Sequence, residues 1–138
     1  MLLYIKRASC TVPFSESCQL RAPDGHPIPW GEWSMIEGRV TATSIERGTH
    51  VVTHISHAIP NGVYTLWFNG LPLGVDDDPE ITVTVSQAGE GQLSLIDPAG
   101  CAPSGSLLIL AYHNDGQTHG SVPGAANTWV GQLFRSLP

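Results

Sequence analysis

The sequence predicts an all-β fold, an antiparallel β-sandwich or jelly roll of about eight strands, on three observations. Val, Ile and Thr supply 10, 9 and 10 of the 138 residues, and β-branched side chains fit a pleated sheet better than a helix. Gly 15 and Pro 11 punctuate the chain at short intervals, as tight turns between short strands require. No stretch carries the apolar period of an amphipathic helix, whereas Ile81-Thr82-Val83-Thr84-Val85 alternates with period two. A mass of 14.7 kDa suits one domain, residues 1–138, large enough to bury a core.

The elements follow in order. Residues 8–33 hold Pro13, Pro23, Asp24-Gly25, Pro27 and Pro29 and read as a loop-rich segment. Strand character begins at Met35 and runs to Ile45; Glu46-Arg47-Gly48-Thr49 then forms a hairpin turn into a second run ending at His57. Pro60-Asn61-Gly62 is a turn before the strand Val63–Phe68, and Asp76-Asp77-Asp78-Pro79 breaks the chain again. Gln92-Leu93-Ser94-Leu95 alternates after Ile81–Val85. Ser106–Tyr112 is apolar on both faces, which marks a central strand. Asn114-Asp115-Gly116 turns out of it, and Thr128–Phe134 makes a final strand.

Charge narrows the partners. Only 13% of residues are charged, and the formal net charge is −6. Between Arg47 and Arg135 there is no Lys or Arg, but seven carboxylates and five of the six histidines. Such a surface repels phosphate backbones, which excludes nucleic acid as a partner, and it attracts cations, metals among them. No apolar run approaches the length of a membrane span. Met1–Arg7 places its basic residues after a short apolar run, the reverse of a signal peptide. Low Lys content and Trp- and Gly-rich strands nonetheless point to a secreted or periplasmic protein. Cys10 and Cys18 are spaced to close a short loop under oxidising conditions, with Cys101 free or paired elsewhere. A free sheet edge would allow a homo-oligomer.

The densest chemistry is His113-Asn114-Asp115-Gly116-Gln117-Thr118-His119-Gly120, at the end of the most apolar strand. Two imidazoles and a carboxylate brought together by an Asp-Gly turn suit a borderline transition metal such as copper or zinc. The competing reading is a turn in which Asp115 caps backbone N–H groups and the histidines brace neighbouring loops. His50 and His54 share a strand face but stand about 13 Å apart at ~3.3 Å per residue, so one ion does not take both. His57 is expected on the face opposite His54. The expected site therefore binds a transition metal, or a small-molecule ligand, through His113 and His119 with His54 or His57, Asp115 orienting a histidine. If the protein is an enzyme, the metal acts as Lewis acid or redox centre. His26 sits in a loop that sequence does not place. Asp76–Glu80 reads as a solvated acidic turn, because it lacks the alternating ligand spacing of a calcium loop.

Other chemistries lack their signatures. There is no G-x-S-x-G elbow, no phosphate-binding glycine loop and no dinucleotide fingerprint. Trp30, Trp33, Trp67 and Trp129 raise a second class of function, a non-catalytic carbohydrate-binding or assembly module whose histidines are structural. Trp67 lies between Leu66 and Phe68 and belongs to a core, whereas Trp30 and Trp33 are loop-borne and available to stack on a sugar.

Two segments, Pro60-Asn61-Gly62-Val63-Tyr64-Thr65-Leu66-Trp67 and Tyr112-His113-Asn114-Asp115-Gly116-Gln117-Thr118-His119-Gly120, carry a resemblance. With Gly89-Glu90-Gly91-Gln92-Leu93 they resemble an uncharacterised family of small exported bacterial and archaeal β-rich proteins, over residues 35–134. Ser121 departs from the proline that commonly follows the His-Gly pair. The resemblance implies export and a β-sandwich, and it singles out His113, Asp115 and His119. It supplies no reaction.

Overall fold

The computed structural model describes residues 2–5, 20–68, 71–72, 81–97, 108–118 and 129–134. Nine strands run through them: β1 (Leu2–Ile5), β2 (Glu37–Ile45), β3 (Gly48–Ser56), β4 (Val63–Phe68), β5 (Leu71–Pro72), β6 (Thr82–Thr84), β7 (Gly91–Asp97), β8 (Leu108–His113) and β9 (Trp129–Phe134). Six of the nine are six residues or longer. One helical turn, α1 (Trp30–Trp33), precedes β2. Strands β1-β2-β3-β7 form one antiparallel sheet; β5-β4-β8-β9, with β6 also paired to β4, form the other. The protein is all-β, built on two antiparallel sheets.

The expected hairpin is present, with Ile45 opposite Gly48 and the pairing running back to Glu37 opposite Ser56. Along β3 the buried residues are Thr49, Val51, Thr53 and Ile55, while His54 faces outward, as period two dictates. Val40, Val51, Ile55 and Leu95 from the first sheet meet Tyr64, Leu66, Val83, Leu110 and Tyr112 from the second in one core. Strand β8 lies between β4 and β9, the central place its doubly apolar sequence indicates.

An isolated bridge between Val85 and Gly91 joins the end of β6 to the start of β7, and so links the two sheets along one side. A Cβ at Gly91 would stand 2.9 Å from Val83 Cγ1 and 3.1 Å from Ile55 Cγ1, so only glycine lets the strands approach there.

Three elements differ from the sequence reading. Leu2–Ile5, read only as a misordered leader, pairs with Gly38–Thr41 as β1. Leu71–Pro72 adds a two-residue pairing to β4. The loop-rich segment contains α1, where the amides of Glu32 and Trp33 bond to the Pro29 carbonyl. One turn is too short to produce an apolar period. The three cysteines and Asp76–Glu80 lie outside the described residues. Among the described residues no helix is long and apolar enough to cross a membrane.

Candidate functional site

The two motif segments meet on adjacent strands. Pro60-Asn61 forms the corner before β4, with Asn61 at φ 59° and the Gly62 amide bonded back to the Ile59 carbonyl. Proline followed by a left-handed Asn is the pattern of a type II turn. Beyond it, Tyr64 pairs in register with Tyr112, and their rings tilt together at 5.2 Å. The Tyr64 hydroxyl accepts the Ile59 amide at 3.1 Å in the buried interior, and burial pushes that phenol's pKa upward. Tyr64→Phe keeps the ring and orphans a buried N–H, so it should cost about 1–2 kcal/mol. Urea unfolding with an unchanged m-value checks this.

On the opposite face of the same sheet lies a buried polar chain. The Trp67 indole donates to Thr65 Oγ1 at 2.6 Å, and Thr65 Oγ1 lies 2.7 Å from His113 Nε2. An indole N–H only donates, so Thr65 accepts there. The arrangement that leaves no hydroxyl proton idle has Thr65 donating in turn to His113. Thr65, Trp67 and His113 are each at most 2% exposed. They sit between the strands on positions that alternate with the core-facing Tyr64, Leu66 and Tyr112.

The turn after His113 closes on itself and on a distant loop. The Gly116 amide bonds to the His113 carbonyl, Gly116 has φ 70°, and Asp115 Oδ1 accepts the Gln117 amide at 3.1 Å. Asn114 Oδ1 accepts the Arg21 amide, and the Tyr112 hydroxyl donates to the Arg21 carbonyl, both at 2.5 Å. Residues 20–36 are thereby tied to the end of β8 and the turn that follows it. Leu20, Ala22, Ile28, Trp33 and Ile36 are buried in the shared core, and Trp33 meets Tyr112 edge to face at 5.9 Å.

Within this strap His26 is held at both ring nitrogens. Nδ1 lies 2.5 Å from Asp24 Oδ1, and Nε2 lies 3.0 and 3.1 Å from the two Glu32 oxygens. The Glu32 carboxylate first, then Asp24, hold the His26 pKa above its ordinary value. Asp24 is held below the usual carboxylate value, chiefly by the His26 backbone amide and then its ring.

The residues expected to form a metal set fall in separate places. His113 is buried on the outer side of the second sheet, whereas His54 is exposed on the outer side of the first, with the core between them. That arrangement does not bring them onto one ion. His54 Nε2 instead stands 3.4 Å from Glu90 Oε2. His57 does not follow the strand alternation expected of it. Strand β3 ends at Ser56, and His57 is an exposed residue in a left-handed conformation at φ 54°. Asp115 is exposed in its turn, and His119 lies outside the described residues. Among the described residues no three His, Cys, Asp or Glu side chains are grouped as a metal would need. Asp24 and Glu32 do not make His26 a three-ligand centre, because they approach opposite sides of its ring.

Trp33, expected to be exposed, is 1% exposed and packed on Tyr112, because α1 turns it inward. Trp67 is buried as expected, though opposite the main core; nothing is described of the Trp30 and Trp129 side chains. The sequence reading missed the Asp24–His26–Glu32 grouping, whose only signals are an Asp-Gly turn and a Glu six residues beyond the histidine. It also missed the pairing of His50 Nε2 with Ser94 Oγ at 2.8 Å, which depends on strand register. No protein-family model matches the chain, and no curated protein matches it.

Proposed function

We propose that the protein is a non-catalytic binding module, and that its ligand is a neutral polysaccharide lying along the outer face of β2, β3 and β7. The observation that carries this reading is the place of His113. Its Nε2 is engaged by Thr65 inside the protein, so the first histidine of the most conspicuous motif braces the fold, and recognition falls to another surface. The outer face of the first sheet is the polar surface with suitable chemistry. Thr41, Thr43, Gln92 and Ser94 are exposed there, with His54 between Arg39 and Gln92, and His50 between Thr43 and Ile96. Hydroxyl, amide and imidazole groups both donate and accept, as sugar hydroxyls do. Arg39 on this face is accompanied by Glu37 and Glu90, so positive charge is not in excess there, which favours a neutral chain over a phosphate-bearing one. The jelly-roll path and an extracytoplasmic location accompany this reading; low Lys content and the motif resemblance support the location.

The test is affinity electrophoresis and calorimetry with soluble neutral glucans, mannans and xylans. One of these polymers should retard the wild type, and His50→Ala/Gln92→Ala should weaken binding about tenfold while the fold is retained. Absence of retardation by every polymer, or equal binding by the double variant, would contradict the proposal.

A further inference from the structure

A neutral imidazole has one N–H and one lone pair, and a carboxylate only accepts. His26, with a carboxylate oxygen at hydrogen-bond distance from each ring nitrogen, therefore satisfies both contacts only as the imidazolium. The ring is 42% exposed, so protons reach it directly. The groups facing it come from three elements. Asp24 lies in its own turn and Glu32 on α1; Arg21, across the bridge to Pro27, donates from its guanidinium to the Gly25 carbonyl at 3.0 Å. Tyr112 on β8 donates to the Arg21 carbonyl, and burial followed by Glu32 raises its phenol above the range in which His26 titrates.

The same strap is a small hairpin followed by α1. The Ala22 amide bonds to the His26 carbonyl, Gly25 to Ala22 and Ile28 to Leu20. The His26 contacts tie its tip to α1, and α1 carries Trp33 onto Tyr112. We propose that residues 20–36 form a pH-sensitive lid, latched by the His26 imidazolium between Asp24 and Glu32, which loosens when His26 loses its proton and uncovers the Trp33–Tyr112 end of the core.

The direction follows from both partners. His26 is raised above 6.5, so its contribution is complete below that value and is lost as pH rises through the folded value. Asp24 is lowered from 3.8, so its contribution is present above that value and is lost as pH falls through the folded one. The latch is firmest in mild acid. It is independent of the polysaccharide reading.

Amide hydrogen exchange between pH 6 and 9, corrected for intrinsic rates, tests the lid. Protection of Ala22, Gly25 and Ile28 should fall on the order of tenfold beyond any change at Val51 and Ile55 in β3. The step should vanish in His26→Gln. In Glu32→Gln, the His26 titration followed by NMR should move to lower pH. A wild type without the step, a step that persists in His26→Gln, or an unmoved titration in Glu32→Gln overturns the proposal.

Discussion

Gly62→Ala should destabilise the protein by about 3 kcal/mol, at the upper end of what overpacking costs. A Cβ at this position would stand 2.8 Å from the Ile59 carbonyl oxygen, 3.1 Å from a Tyr64 ring carbon and 3.2 Å from a Tyr112 ring carbon. The carbonyl is fixed because it accepts the Gly62 amide that closes the turn. The two rings are fixed because Tyr64 accepts the Ile59 amide and Tyr112 donates to the Arg21 carbonyl. No contact in the set is the loose end of a flexible chain, so the strain spreads into the turn, the tyrosine pair and the strap together. Equilibrium urea unfolding should show the loss as a lower midpoint. A change below about 1 kcal/mol would mean that the corner relaxes more easily than its bonds suggest.

His113→Ala should cost about 3–4 kcal/mol from two sources. Removing the imidazole opens a cavity at a buried place, and it takes away the acceptor of the Thr65 hydroxyl proton, whose loss alone costs roughly 1–3 kcal/mol. Trp67 still donates to Thr65 in the variant, so the chain is shortened rather than abolished. Thr65→Val, which removes the Thr65 hydroxyl from both neighbours at nearly constant volume, should behave comparably. Near-wild-type stability of both variants would show that the chain contributes little.

Much of the architecture was legible because it rests on one-dimensional patterns. The doubly apolar run before Tyr112 indicated a central strand, and the Arg47-Gly48 corner indicated a hairpin; both are present. The roles of the histidines were not legible, for a different physical reason in each case. The doubly apolar pattern of β8 ends at Tyr112 and does not say whether burial extends to His113 at the strand's end, so a structural histidine and an exposed ligand look alike. His54 beside Glu90 and His50 beside Ser94 are neighbours only through the register of β3. His26 and Glu32 meet through an irregular loop followed by a single helical turn, which has no period to read. Trp33 follows a loop whose prolines carry no inward or outward signal, and the single turn α1 directs it into the core.

The central claim is that His113 braces the fold rather than holding a metal. Its most direct test is thermal unfolding of wild type and His113→Ala, each in chelator and each with one equivalent of zinc or copper. A bracing histidine predicts the same large loss of stability in all conditions. Equal stability of the two proteins in chelator, with a gap opening only when metal is added, would contradict it and restore the metal site.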